Sequence, residues 1–133
     1  VQAQILNLLK ELQEALGIAY LFITHNFAVV EYLANDVAVM YLGRIVERGK
    51  TEEVLRSPQH PYTQALLSAV PVPRLEAHPT AVRLPGETPS PANPPGGCHF
   101  HPRCPQAMDI CRQRYPETSS VSATHTVNCH LIG

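Results

Sequence analysis

The chain has 133 residues, 10 basic and 11 acidic side chains and a formal net charge of −1. That length suits one modest domain around a single core, and a near-neutral balance without a basic run makes nucleic acid a poor first partner. The longest apolar stretch, Ile18 to Ile23, falls far short of the roughly 20 residues a membrane-spanning helix needs, and the opening residues do not read as a secretory signal.

In chain order, Ile5, Leu8, Leu9, Leu12, Ala15 and Leu16 recur every three or four residues. That spacing predicts an amphipathic helix, with Gly17 placed to stop it. "IAYLFIT", Ile18 to Thr24, is a nearly continuous apolar run, as in a parallel-sheet strand buried on both faces. A second helix fits Phe27 to Asn35. "VAVMYLG" after Asp36 predicts a strand, Gly43–Arg44 a turn, and "IVERG" the continuation. Thr51 is placed to cap a short helix whose first turn carries Glu52 and Glu53. Pro58 ends it, and Pro61 opens a further helix over about Tyr62 to Val70, with Ala65, Leu66, Ala69 and Val70 as its apolar face.

Helix–strand–helix–strand–strand–helix predicts the second half of a doubly wound α/β layer. Ile18 to Thr24 would need sheet neighbours that this chain supplies too sparingly. The chain also opens inside a helix without an initiator Met. Together these predict a piece of a longer protein, poorly soluble by itself. Residues 1–57 contain no proline; all 13 lie between Pro58 and Pro116, and all four cysteines lie in the second half. Two regions are therefore expected, 1–57 and 58–133. Between Pro71 and Gly97 the prolines disfavour helix and central strand and predict an extended arm lying across a surface.

His25 follows directly on the expected strand. Ligands of open α/β sheets bind in the crevice beyond the carboxyl ends of strands, where an imidazole can donate to a phosphate oxygen. The competing reading is that His25 or Asn26 caps the following helix.

Cys98, Cys104, Cys111 and Cys129 have the spacing C-x5-C-x6-C-x17-C. Three chemistries compete. Two disulfides are possible, although no secretory signal supports an oxidising compartment. Zinc can be held by the four thiolates or by a mixture with His99, His101, His125 or His130, although the usual close Cys pair is missing. A 4Fe-4S cluster is the third, on a spacing unlike the common ferredoxin patterns. Arg103, beside Cys104, can offset an anionic cluster or reach a carboxylate.

"ITHN" followed by a helix, then "VAVMYLGRIVERG" and "TEEVL", resembles the end of an ABC transporter ATPase domain, a P-loop NTPase fold. Ile23, Thr24, His25, Val39, Met40, Gly43, Ile45, Val46, Glu47 and Gly49 fall in family order. Asn26 and Phe27 depart from the family's usual Asp and Leu. "HPYT", then "LPGETPSPANPPGGCHFHPRCPQAMDICRQRYPE", resembles the C-terminal extension of the oligopeptide and dipeptide importer ATPases within that family. The resemblance covers nearly the whole chain, from Val1 to about Cys129.

The resemblance implies a fold and a role. Residues 1–57 would be the C-terminal part of the nucleotide-binding domain, and 58–133 the transporter extension with its four-cysteine segment. His25 would be the switch histidine that contacts the γ-phosphate and steadies the attacking water. The cofactors would be ATP and Mg²⁺, with a 4Fe-4S cluster on Cys98, Cys104, Cys111 and Cys129, zinc being the alternative. The partners would be a second ATP-binding subunit, two membrane permease subunits and, indirectly, a peptide-binding protein outside the membrane. The place of work would be the cytoplasmic face of the prokaryotic plasma membrane, with peptides as default cargo. No Gly-x-x-x-x-Gly-Lys-Ser/Thr phosphate loop, signature segment or Mg²⁺-holding acidic strand occurs in these 133 residues, so the chain alone is expected to be inactive. The rival from another class is a small Fe–S or zinc module serving redox or interaction.

Overall fold

The computed structural model describes residues 2–70 and 82–133. They fall into two compact units, Val1–Asn35 and Asp36–Gly133, each considered by itself.

In the first unit, α1 spans Gln2–Leu16. Gly17, at φ +63, closes it by donating its N–H to the Gln13 carbonyl at 2.9 Å, the expected glycine stop. α2 spans Phe27–Leu33, two residues shorter than expected, and ends at its cap Ala34. The Tyr32 hydroxyl of α2 bonds the Asn7 side chain of α1, and Lys10 Nζ lies 5.2 Å from the Tyr32 ring centre.

The strand expected over Ile18 to Thr24 is not formed. The segment has no regular structure, and Leu21 and Ile23 are 91% and 96% exposed. A lone strand leaves its backbone N–H and C=O groups without ladder partners, and no described strand pairs with this one. The apolar stripe of α1 is likewise uncovered, with Ile5, Leu8, Leu12 and Leu16 all exposed.

The second unit starts from a hairpin of β1 (Asp36–Tyr41) and β2 (Arg44–Lys50). Leu42 and Gly43 form its two-residue loop, both at positive φ, 43° and 75°. Such primed turns match the twist of paired strands. The register runs Tyr41↔Arg44 and Met40↔Ile45, then slips to Val39↔Glu47. This bulge leaves Val46 as an extra residue, so β2 buries Val46 and Glu47 in succession where strict alternation would bury one of the two.

α3 (Thr51–Arg56) follows directly. Thr51 is its first helical residue and is buried; the cap position belongs to Lys50, whose side chain makes no capping bond. The expected Thr51 cap is therefore absent. Glu52 and Glu53 do occupy the first turn. α4 spans Pro61–Ser68 with Pro61 at its start and buries Pro61, Thr63 and Ala65; of the expected face Ala65, Leu66, Ala69 and Val70, Ala65 is buried and Leu66 packs against the core, while Ala69 is the exposed cap beyond the helix end.

Residues 82–97 contain neither helix nor strand, as their prolines dictate; the part of the expected arm over 71–81 lies outside the described residues. A 3₁₀ turn at His101–Arg103 and a short α5 (Asp109–Gln113) follow. β3 (Ser119–Ser120) and β4 (Thr126–Val127) complete a sheet of order β1-β2-β4-β3, antiparallel throughout. The expected parallel layer is thus replaced, among the described residues, by a mixed α/β unit with an antiparallel sheet. A two-residue loop forces antiparallel pairing of its flanking strands, and the strand a parallel layer required is the unpaired Ile18 to Thr24.

The core gathers Val39, Tyr41, Val46, Val54, Cys98, Phe100 and Cys111. Phe100 is its centre. Its ring lies 5.1 Å from Tyr41, 5.4 Å from Tyr62 and 5.5 Å from His60. One side chain thus joins the hairpin, α4 and the cysteine segment.

Candidate functional site

His25 sits at a bend just before α2 and is exposed. The capping role belongs to Asn26, whose Oδ1 accepts the Ala28 N–H at 3.0 Å, while the Asn26 N–H donates to Thr24 Oγ1 at 3.0 Å. The local Thr–His–Asn order therefore satisfies the helix start without the imidazole.

A second constellation surrounds Glu47. Its carboxylate is fully buried. Oε1 accepts the Gln59 N–H at 2.7 Å, Oε2 accepts the His60 N–H at 3.0 Å, and His125 Nε2 lies 2.7 Å from Oε1. A buried carboxylate is tolerable only when hydrogen bonds replace its lost hydration. Here the donors come from the turn before α4 and from the C-terminal strand region. His60 in turn caps α4, its Nδ1 accepting the Tyr62 N–H at 3.0 Å. Burial pulls the His60 pKa down to about 4, against the opposing pull of Glu47, so the ring is neutral at neutral pH and free to act as acceptor.

The C-terminal strand is held closely. Glu47 pairs with Val127 and Arg48 with Thr126, and the Asn128 N–H donates to the Val46 carbonyl at 2.8 Å. A Cβ on Gly49 would stand 3.0 Å from the Thr124 carbonyl oxygen, so only glycine lets the two backbones approach this way. Glu53 accepts from both Ser122 and Thr124.

The four cysteines are free thiols; Cys98, Cys111 and Cys129 are buried and Cys104 is half-buried. Cys98, Cys104 and Cys129 each feel the charge of at least two of the other thiols. Burial pushes the Cys98 thiol up; the Phe100 N–H opposes it, the thiols of Cys111 and Cys129 add to it, and the His101 N–H opposes it. Burial also raises Cys104, opposed by the Gln106 N–H and reinforced by Cys98 and Cys111. Cys129 is raised by burial, lowered by the Leu131 N–H, and raised again by Cys104, Cys111 and the Glu47 charge. For each of these three thiols, the N–H of the residue two positions on pulls against that rise. Such donors stabilise a thiolate.

The Cys98 N–H donates to the Cys111 carbonyl at 2.8 Å. Gly97 makes this possible: at φ +66, a Cβ there would fall 2.4 Å from that carbonyl oxygen. Among the described residues, no three His, Cys, Asp or Glu side chains converge closely enough to hold a single metal ion.

Three of the histidines weighed as ligands are engaged elsewhere, but His99 is not: it packs edge-on against Tyr115 at 5.5 Å and its buried Nδ1 has no hydrogen-bond partner among the described residues. His101 Nδ1 lies 2.8 Å from the Cys98 carbonyl oxygen, and His130 Nε2 lies 2.9 Å from the Arg114 carbonyl oxygen. His125 belongs to Glu47. Arg103 pairs with no carboxylate among the described residues. Its Nε donates to the Pro85 carbonyl at 3.2 Å and one terminal nitrogen donates to Thr88 Oγ1 at 2.9 Å, so it clasps the returning proline-rich strand of chain. Glu47 and His125 were not singled out as partners by the sequence, since 78 positions separate them. The one local hint was an acidic residue inside an otherwise strand-like run.

Residues 46–111 match the family described as "Oligopeptide/dipeptide transporter, C-terminal region". The chain is 53% identical over 131 residues to a protein of Sinorhizobium fredii named "Probable peptide ABC transporter ATP-binding protein", covering 98% of this chain and 37% of that protein. It is 50% identical over 133 residues to the oligopeptide transport ATP-binding protein AppF of Bacillus subtilis, covering 98% of this chain and 40% of the relative. It is 47% identical over 132 residues to the dipeptide transport ATP-binding protein DppF of Haemophilus influenzae, covering 99% of this chain and 40% of the relative. Over nearly its whole length the chain is thus similar to ABC transporter ATP-binding proteins. The chain belongs to the oligopeptide/dipeptide transporter family of such proteins. It spans about two-fifths of the length of the relatives it matches.

Proposed function

We propose that this chain is part of the ATP-binding subunit of an ABC importer that couples ATP hydrolysis to the uptake of di- or oligopeptides. The observation that carries this reading is the 53% identity over 131 residues to a peptide ABC transporter ATP-binding protein. Nothing comparable favours a separate Fe–S or zinc module. Residues 1–57 belong to the nucleotide-binding domain of a P-loop NTPase fold and 58–133 to the transporter extension. The subunit works with a second ATP-binding subunit, two membrane permease subunits and a peptide-binding protein. No described helix is long and apolar enough to cross a membrane, and the reading places the subunit on the cytoplasmic face of the plasma membrane, bound to its permeases.

ATP and Mg²⁺ are the working cofactors of the whole protein, and His25 is this chain's contribution to them. Asn26 relieves it of capping, and its exposure leaves the imidazole free to donate to a γ-phosphate oxygen and to steady the attacking water. Phosphoryl transfer depends on such positioning and charge stabilisation. The test is the ATPase rate of the full-length protein with and without His25→Ala. A fall of about 100-fold or more is expected for loss of one positioned transition-state donor; unchanged turnover removes His25 from the mechanism.

Cys98, Cys104, Cys111 and Cys129 hold a 4Fe-4S cluster in this reading. Support comes from the resemblance of the four-cysteine segment and from four free thiols, three of them buried, in one loop-rich unit. A bound cluster would supply a cross-link among four points of a loop-rich segment. The chain's own residues already set that segment in place through Phe100 and Gly97. Anaerobic purification followed by visible absorption and metal analysis tests the assignment. Iron with sulfide is expected; zinc without iron, or no metal, overturns it.

A further inference from the structure

We infer that Glu47 is the positioning residue for the fourth thiol, Cys129. The inference deepens the four-cysteine reading and rests on it for the site's purpose, though not for its geometry.

Cys98, Cys104 and Cys111 lie within fourteen successive positions, and Cys98 is tied directly to Cys111 by a backbone bond. Cys129 stands apart in sequence and reaches the others only by way of β4. That strand is two residues long and has two register pairs with β2. So short a ladder is marginal by itself. What fixes it is the pair of anchors on either side. Before the strand, His125 is bonded to Glu47; after it, the Asn128 N–H bonds the Val46 carbonyl. Both partners come from the bulged step of β2. Of the two anchors, the Glu47 contact is the buried one, with His125 only 2% exposed.

The same carboxylate accepts the Gln59 and His60 N–H groups. Removing it strands three donors at once, the part-buried Gln59 N–H and the buried His60 N–H on the α4 side and the buried His125 on the Cys129 side. Cys98 and Cys111 are held by different contacts, the Gly97 approach and the Phe100 cluster. Loss of Glu47 therefore releases Cys129 most directly, while Cys98 and Cys111 keep the backbone bond that ties them to each other.

The experiment measures alkylation of each cysteine by iodoacetamide in the reduced, metal-free full chain, read by peptide mass spectrometry. In Glu47→Ala and in the milder His125→Ala, the Cys129 rate is expected to rise about tenfold or more, the scale of one lost buried charge-assisted hydrogen bond, with Cys98 and Cys111 changing by less than about twofold. His125→Gln, which keeps a side-chain N–H donor, is expected to retain most of the protection. Unchanged Cys129 protection in Glu47→Ala overturns the inference. So does a uniform rise at all four thiols in both alanine variants, which reports general loosening rather than positioning. Because the thiols are read without metal, absence of iron in the parent protein would overturn the cluster while leaving this result standing.

Discussion

Phe100 meets Tyr41 edge-on, with ring centres 5.1 Å apart and planes at 83°. The contact joins the middle of "CHFHPRC" to the first strand of the hairpin. Phe100 is only 1% exposed and also touches Tyr62 and His60. Phe100→Ala is expected to destabilise the second unit by about 3–5 kcal/mol, from lost burial plus the cavity left behind. Phe100→Leu should lose less, because it refills part of the space. Urea denaturation of the two variants checks the order; equal losses would mean that the aromatic geometry contributes nothing.

The His60 imidazole provides a pH signature. Burial lowers its pKa to about 4, while the unfolded ring titrates near its ordinary value of about 6.5. Between those values the unfolded chain binds more protons than the folded one, so stability rises with pH across that window. The contribution is complete above about pH 6.5 and drains away as pH falls toward 4, by roughly 3 kcal/mol in all. Unfolding free energies at several pH values, in the parent chain and in His60→Asn, give the measurement. The variant keeps a capping acceptor and should show a flatter profile in this range. Parallel profiles would rule out His60 as the source.

Two glycines at nearly the same φ separate crowding from backbone strain. A Cβ added to Gly86, at φ +67, would meet nothing within 4 Å, whereas the same atom on Gly97 would stand 2.4 Å from the Cys111 carbonyl oxygen. Gly86→Ala is expected to cost about 1–2 kcal/mol, the left-handed penalty alone. Gly97→Ala should exceed it by about 2 kcal/mol, because the Cys98–Cys111 backbone bond must also give way. Thermal melts of both variants check this; equal shifts would show that the close approach relaxes without penalty.

Arg103 gives a local prediction. Its guanidinium spans the Pro85 carbonyl and Thr88 Oγ1, a two-point grip that a lysine cannot reproduce. Both Arg103→Ala and Arg103→Lys should speed amide hydrogen exchange over residues 86–88 while lowering global stability by about 1 kcal/mol or less. Exchange unchanged in both variants would show that Leu84 packing alone holds this stretch.

The features that could be read from the residues were those decided locally. Gly17 stops α1, Pro61 starts α4, Gly43 lies in the hairpin turn, and Glu52 and Glu53 sit in the first turn of α3; each follows from backbone chemistry within a few positions. What failed depended on distant partners. Ile18 to Thr24 has the composition of a buried strand, but a strand exists only when neighbours complete its ladder. The inward turn of Glu47 depends on a one-residue slip opposite Val39 and Met40 that no periodicity announces. Thr51 had the chemistry of a cap and was instead drawn into the core, where its hydroxyl finds no hydrogen-bond partner among the described residues. Arg103 stood beside a cysteine in sequence and turned toward proline-rich chain in space. For the cysteines, spacing suggested a shared site; the fold buries three of the four and bonds the Cys98 N–H to the Cys111 carbonyl.

The distance between Glu47 and His125 along the chain, 78 positions, also sets a schedule for biosynthesis. At roughly 5–20 residues per second, a ribosome finishes the hairpin about 4–16 seconds before the histidine that completes its buried carboxylate has been made. Until then the edge of β2 is free, and Glu47 Oε1 has the Gln59 N–H as its one partner. A chain that stopped before His125 would carry its hairpin with the buried carboxylate short of one donor. The segment around His125 thus closes two gaps at once, covering the edge of β2 and completing the shell of the buried acid.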